Sequence, residues 1–488
     1  MTRVIRQLPF SLTKLLLLLT AFFFSTFNLS AQEPNPPKKI SIEELQKDLT
    51  FLKKALEDIH PGMYYFTDKE TYNQLYDSIY QSLQTPLSRV DFREKIAPLI
   101  LQLQCGHTRL LASHKDDKKK PKKYFPLQLR QIEGKVLVNK NYGEDTSMIF
   151  KGVEILAING MPIDSILQLF YRNTTRGSDG DNETGKQFYN LRFFTSRFAE
   201  WFGRPDSFQI EYLTPKTTDY QTISIAALTS KVMAQNYKTH FGKPPQNISL
   251  EWLNDETAVL KIRSFVDLDS DYGLNFWGQV RAYFREIKQL EAEHLIIDVR
   301  GNGGGALKNS FKLMQYLETE PFSVNKALLA KAKAVSNVGF REKLMLGFSF
   351  KRTDSTYISS KSFTQIRQPK QKLGYKRKVY LLIDGGSYSA SALFAAHLHS
   401  KNRATIVGEE SGGNYYLAFA GFWTVKTLPH SKISVRIPLI RLEYDVESDV
   451  PFNKGVPPNI GVTQTYSDFL EGKDTQLEAV LDLIESEK

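Results

Sequence analysis

Past residue 40, apolar positions first recur at helical spacing. Ile42, Leu45, Leu49, Leu52, Leu56 and Ile59 fall three or four residues apart, behind a Ser41/Glu44 capping box, and His60-Pro61-Gly62 stops the run. Thr67 and Glu70 are expected to cap a second helix carrying Tyr72, Leu75, Tyr76, Ile79 and Leu83. Ser88 and Asp91 open a third, with Phe92, Ile96, Leu99, Ile100 and Leu103 facing inward. From Phe125 the period falls to two. Phe125, Leu127 and Leu129 alternate with polar residues, Glu133-Gly134 turns the chain, and Val136 and Val138 continue the alternation. A strand within Lys151 to Gly160 ends at Asn159-Gly160 and feeds a helix through Leu169. Residues 173–205 read as an insertion with its own helix, Lys186 to Phe202, and a polar SDGDNE turn before it; Phe208 to Tyr212 then closes a small β domain.

From about Asn247 strands and helices alternate. Strands are predicted at Ala258 to Ile262, His294 to Asp298, Val379 to Ile383 and Ala404 to Val407, and helices at Tyr272 to Glu291, Ala306 to Leu317 and Ala390 to His399. This alternation predicts a layered α/β core. Asn325 to Lys378 reads as a long irregular segment that walls a cleft.

The chain has 488 residues, enough for two or three domains. Arg3, Arg6 and Lys14 precede an apolar run from Leu15 to Phe27 that ends near Ala31, the order of a secretory leader. The run is short for a spanning helix, and no later segment is apolar enough to span a bilayer, so an exported, periplasmic or secreted protein is expected. The division that follows is a leader over 1–31, a linker over 32–39, a helical region over 40–112, a β domain over 120–215, and an α/β core over 245–488. The leader holds three of the 64 basic residues and none of the 53 acidic ones, so the mature chain carries about +8. Much of that excess lies in Lys115 to Lys123, which lacks interleaved aromatics; together with export this excludes nucleic acid as the expected partner. The single cysteine, Cys105, follows an apolar stretch and reads as a buried structural thiol.

The chemistry is concentrated in two glycine-led loops. Ile296-Ile297-Asp298-Val299-Arg300-Gly301-Asn302-Gly303-Gly304-Gly305 runs from an apolar strand into bare backbone N–H groups, suited to a developing oxyanion. Asp384-Gly385-Gly386-Ser387-Tyr388-Ser389 ends another strand and presents Ser389 at a helix N-terminus. A serine nucleophile needs a base. His397 and His399 lie on the serine's own helix and are out of reach, whereas His107, in Gln104-Cys105-Gly106-His107-Thr108, stands at a glycine turn after a buried helix. On residues alone it remains either a structural histidine or a base. No two histidines form a metal-binding motif, and G-x-G-x-x-G spacing is absent, so neither metal nor cofactor is expected.

From His60 onward the chain resembles the C-terminal processing, or tail-specific, serine peptidases. The match is carried by Asp298-x-Arg300-x-Asn302-x-Gly304-Gly305, Ser387-x-Ser389-Ala390-Ser391, Val407-Gly408-Glu409, Gly455-Val456-Pro457-Pro458-Asn459 and the segment 151–169, which resembles the later half of a PDZ domain. The resemblance implies a crotonase-like α/β core and cleavage of extended or unfolded polypeptides near their C-termini. It also implies Ser389 as nucleophile and an oxyanion hole from the N–H groups of Ala390 and of Gly304 or Gly305. Asn414 stands where the Ser–Lys branch has its lysine, which excludes that dyad. Cys105-Gly106-His107-Thr108 instead resembles the element of the branch similar to the tricorn protease core, implying His107 as base with a downstream acid. Glu443, Asp445 and Glu447 are the candidates, with Glu447 favoured. Cys105 and Ala392 depart from acidic residues common in the family, which keeps open an alternative: a catalytically silent relative that binds a peptide tail or apolar ligand.

Overall fold

The computed structural model describes residues 39–488 apart from 112–121, 175–176, 216, 268–274, 337, 354–355 and 360–362. The expected leader, nearly all of the linker and most of the lysine run lie outside the described residues. Three helices come first: α1 (Ile42–Ile59), α2 (Lys69–Gln81) and α3 (Arg89–Leu101). Both expected capping boxes form, Ser41 with Glu44 and Ser88 with Asp91. The second cap differs. Asp68 caps α2 through the Thr71 N–H, while Thr67 donates its hydroxyl to the Gln102 carbonyl at the end of α3. A short strand, β1 (Arg109–Leu111), leaves this region and joins a sheet of the core.

A smaller domain follows, with β2 (Leu127–Ile132), β3 (Lys135–Asn141), β4 (Glu154–Ile158), α4 (Ile163–Tyr171), α5 (Glu183–Arg192), α6 (Phe194–Trp201), β5 (Ser207–Leu213) and β6 (Gln221–Ala226). Its strands lie in the order β2-β3-β4-β5-β6, leaving β2 at an edge. The single helix expected over 186–202 is two, broken at Phe193, whose φ of −106° and ψ of 16° leave the helical region. Nor does the domain close at Tyr212. Residues 221–226 add a further antiparallel strand beside β5, and α7 (Ser230–Phe241) follows.

The core contains β7 (Ile248–Trp252), β8 (Thr257–Ile262), α8 (Phe276–Gln289), β9 (His294–Asp298), α9 (Leu307–Leu317), β10 (Asn325–Lys331), β11 (Lys378–Ile383), α10 (Ala390–Ser400), β12 (Thr405–Gly408), β13 (Leu417–Thr427), β14 (Ser434–Tyr444), β15 (Ile460–Gly461) and α11 (Thr475–Ser486). One sheet has the order β7-β8-β9-β11-β12-β15 and is parallel apart from the β7–β8 pair. Its central strands are apolar nearly end to end because helices cover both faces. In the second sheet β14 pairs antiparallel with β13 along one edge, and along the other with β1 near its start and β10 near its end. The segment 325–378 is therefore not irregular. Besides β10 it holds helices Ala332–Ser336 and Phe340–Ser349 and strands Phe350–Arg352 and Thr356–Ser359, and the last two extend this second sheet. No described helix is long and apolar enough to cross a membrane.

The helical region is locked to the second sheet at one buried carboxylate. Asp48, fully buried on α1, accepts from the N–H groups of His430 at 2.9 Å and Ser431 at 2.6 Å, in the turn between β13 and β14. Removing it strands two donors. Asp48→Ala is expected to destabilise the fold by about 3 kcal/mol, read as a lower urea midpoint with an unchanged slope.

Candidate active site

The site forms where β9 and β11, hydrogen-bonded neighbours in parallel register, release their chains at the same end of the sheet. The two loops that follow are fastened together. Asp384 Oδ1 accepts from the N–H groups of Gly301 (2.7 Å) and Gly386 (2.8 Å), Ser387 Oγ donates to the Val299 carbonyl (2.8 Å), and the Tyr388 N–H donates to the Asn302 carbonyl (3.0 Å). The result is a sharp strand-to-helix turn with Ser389 at its tip. Ser389 has φ 58° and ψ −121°, a conformation rare outside glycine, at the N-terminus of α10. Its side chain makes no capping bond, so the hydroxyl is left for other work.

Gly304 shows how closely the loops approach. A Cβ there would sit 2.7 Å from the Tyr388 carbonyl oxygen, 2.8 Å from Ser389 Cβ and 2.9 Å from the Ala390 nitrogen. Its φ of +91° also excludes an ordinary side chain. The Gly304 N–H is itself spoken for, donating to Asn302 Oδ1 at 2.9 Å. Gly304 therefore shapes the junction rather than donating into it. Among the described residues the N–H groups of Gly305 and Ala390 have no hydrogen-bond partner.

His107 reaches this turn from 281 residues away. Its ring stacks on Tyr388 with centroids 4.9 Å apart, and its Nδ1 lies 2.8 Å from the Tyr388 hydroxyl. That hydroxyl has one proton, which it donates to Asp179 Oδ1 at 3.0 Å. Nδ1 must then be the donor to the tyrosine oxygen, leaving Nε2 with its lone pair. Gly106 completes the arrangement. Its N–H donates to the same Asp179 oxygen at 2.8 Å, and a Cβ on it would fall 2.5 Å from the Tyr388 hydroxyl. Burial, then the charges of Arg436 and Arg109, push the His107 pKa down to about 3, so the imidazole is neutral. No hydrogen bond joins it to Ser389 among the described residues.

Asp179 was not among the expected acids. It lies in the SDGDNE segment read as a polar turn, but it is buried to 1% exposure, and burial lifts its carboxyl to about 7 against the bonds from Gly106 and Tyr388. The favoured acid, Glu447, is elsewhere. It is exposed, and its backbone pairs with Ser400 Oγ at the far end of α10, about 16 Å along the helix from Ser389. Asp445 is bonded to Ser323 and Glu443 to Arg441. One cue in the sequence pointed to Asp179: two glycines, Gly177 and Gly180, bracket it, and both have positive φ.

The departures from the family pattern have structural counterparts. Asn414 is fully buried, its Nδ2 donating to the Phe452 and Lys454 carbonyls and its Oδ1 accepting from the Tyr416 and Leu417 N–H groups. Ala392 is fully buried, and a Cβ on Gly413 would come within 2.5 Å of its own. Cys105 is buried, accepts from the Thr108 hydroxyl at 3.2 Å and has its thiol pushed up to about 12 by burial, so it is no nucleophile. His397 and His399 contact Glu318 and Tyr415 as packing groups. Among the described residues, no group of three or more His, Cys, Asp or Glu side chains is placed to hold a metal ion.

A strained serine at a helix N-terminus, one residue after a tyrosine that holds a neutral imidazole and with unpaired backbone donors at hand, is the kind of arrangement that serine nucleophiles use. Residues 256–462 match peptidase family S41, so this part of the chain is an S41 domain, of a family of serine peptidases. No curated protein matches the chain in sequence. Among solved structures, mature CPAF complexed with lactacystin is similar over 91% of this chain and 97% of its own, at 17% identity and a TM-score of 0.63. Mature CPAF alone is similar over 88% and 94%, at 17% identity and a TM-score of 0.61. At such identity the likeness is one of fold, and it extends well beyond the S41 segment.

Because the folded chain holds the Asp179 proton to about pH 7 while an unfolded aspartate releases it near 3.8, this group's contribution is present below pH 3.8 and lost as pH rises through 7. Asp179→Asn removes a buried charge that costs a few kcal/mol above that range. The variant is expected to melt several degrees above the parent at pH 8, with the gap shrinking toward pH 4, as measured by calorimetry.

Proposed function

We propose that the protein is an exported serine endopeptidase that cleaves extended or unfolded polypeptides, near their C-termini, with Ser389 as nucleophile and His107 as base. The carrying observation is the Tyr388 hydroxyl, which orients the His107 imidazole against the residue next to Ser389. Neutral His107 takes the Ser389 proton on Nε2 as Oγ attacks the peptide carbonyl. The N–H groups of Ala390 and Gly305 hold the tetrahedral oxyanion, and His107 then protonates the leaving amine. Asp179, ionised, stabilises the transient imidazolium through the tyrosine hydroxyl, the role first assigned to Glu447.

The remaining architecture fits this reading. We take the core as crotonase-like and the β2–β6 domain as PDZ-like. A groove of about 730 Å³ runs between edge strand β2 and α5, reaching Arg300 and Asp384 at the back of the serine turn. An open strand edge beside a helix suits an extended peptide added as one more strand. Export rests on the leader-like residues 1–31.

Ser389→Ala should abolish hydrolysis of an unfolded casein substrate, and a fluorophosphonate should label the parent at Ser389 alone. A protein that neither cleaves nor labels would instead be the silent binder of the alternative reading. Gly304→Ala should lower the melting temperature and lose at least about 100-fold in kcat/KM, because its methyl group collides with the backbone of the serine turn. The kcat/KM should rise with pH through about 7 as Asp179 ionises. That limb should vanish in Asp179→Asn, at a rate lower by about 10- to 100-fold across the range.

A further inference from the structure

A larger excess of positive charge than the lysine run at 115–123 lies farther along the chain. Residues 331–378 hold thirteen lysines and arginines against two acids, an excess equal to the formal +11 of the whole chain. Some of these cations serve the fold. Lys333 pairs with Asp58, Arg377 with Glu293 and Lys378 with Glu487, while Lys331 donates to the Glu57 carbonyl and Arg367 lies over the Phe311 ring. Lys343, Lys351 and Arg352 differ. They are exposed, and their side chains make no hydrogen bond or ion pair among the described residues.

Those three belong to the helix Phe340–Ser349 and to the strand Phe350–Arg352 that continues from it. Phe340, Lys343, Leu344 and Gly347 are spaced as one helical stripe, and all four are exposed, Phe340 to 79% and Leu344 to 49%. The stripe that a helix normally turns to its core here faces solvent. The helix is nonetheless anchored, because Val338 before it and Phe350 after it are buried. On the strand, Lys351 is the cross-strand partner of Ile358, itself 41% exposed. Charge on an edge strand guards against unwanted pairing, and that accounts for Lys351 and Arg352. It does not account for a phenylalanine and a leucine turned outward on the helix before them.

Exposed apolar side chains set among unpaired cations suit a partner that is both anionic and open to apolar groups. A soluble polyanion offers charge alone. An anionic lipid layer offers both, with phosphates at its surface and acyl chains beneath. We propose that Phe340 to Arg352, with Ile358 beside it, is a docking surface for an anionic membrane. Phe340 and Leu344 enter the headgroup layer, and Lys343, Lys351 and Arg352 pair with lipid phosphates. No described helix is long and apolar enough to cross a bilayer, so the contact made by this surface is peripheral. The proposal uses none of the residues of the serine site and stands apart from the assignment of Ser389.

The test is sedimentation of the full chain with vesicles of phosphatidylcholine, either alone or with about one third phosphatidylglycerol. The parent should bind the anionic vesicles at least about 10-fold more tightly, and the binding should weaken as salt is added. Lys343→Gln/Lys351→Gln/Arg352→Gln should lose that preference, and Phe340→Ser/Leu344→Ser should weaken anionic binding by about 10-fold. Both variants should keep the parent's melting temperature and its rate on casein without vesicles, because the altered side chains are exposed. Position is read separately with a polarity-sensitive fluorophore on an introduced cysteine, since the native Cys105 is buried. Labelled Leu344→Cys should brighten and shift to the blue on anionic vesicles, whereas labelled Tyr220→Cys, on the exposed surface of the smaller domain, should not. Equal binding to both vesicles, anionic binding that survives the charge variant, or a silent Leu344→Cys probe overturns the proposal. Loss in the charge variant alone, with the apolar variant binding as the parent does, marks a general polyanion site and overturns it too. Should either variant not fold, the response of the Leu344→Cys probe decides.

Discussion

One hydroxyl holds the site together. Tyr388 Oη accepts a hydrogen bond from the His107 imidazole and donates one to Asp179, and it belongs to the residue that precedes the serine. Three stretches of chain, around residues 105, 179 and 388, meet at that oxygen. The rest of the local structure makes room for it. Gly106 is bare because a methyl group would strike the hydroxyl, and Gly304 is bare because a methyl group would strike the turn that carries the tyrosine. The phenol also sets which imidazole nitrogen keeps a lone pair, so geometry and protonation are fixed by the same contact.

That contact also explains why a carboxylate can stand in so dry a place. Asp179 is deprived of water, and its second oxygen has no partner. It is retained by the Gly106 N–H and the tyrosine hydroxyl, at an expense to folding that the large packed core of the S41 domain can absorb. Such local instability beside a reacting group is usual where electrostatics serve chemistry rather than stability.

Much of this was legible beforehand, and the reasons differ from residue to residue. The capping boxes of α1 and α3, the alternation of β2 and β3, and the apolar runs of β9 and β11 are local signals, and each element formed where its own residues placed it. The turns that carry Gly304 and Ser389 were readable because strand-to-glycine-to-helix punctuation is also local, whereas the engagement of the Gly304 N–H by Asn302 was not. Asp179 was hidden because its significance depends on burial by segments more than 70 residues away, and its flanking residues look like those of any polar turn. The Glu447 assignment failed for the same reason in reverse, since position along the chain does not reveal that its backbone closes the far end of α10. The break at Phe193 and the strands of 325–378 belong to the same class, decided by packing rather than by spacing.

The order in which the parts leave the ribosome has a consequence of its own. The imidazole and the buried carboxylate emerge early, and Ser389 follows some two hundred residues after Asp179, when most of the chain has been made. Neither half can be organised without the other, because long-range strand pairing and the fastening of two distant loops must both be complete. The three groups that meet at the Tyr388 hydroxyl thus come together only once the last strands of the core are in place.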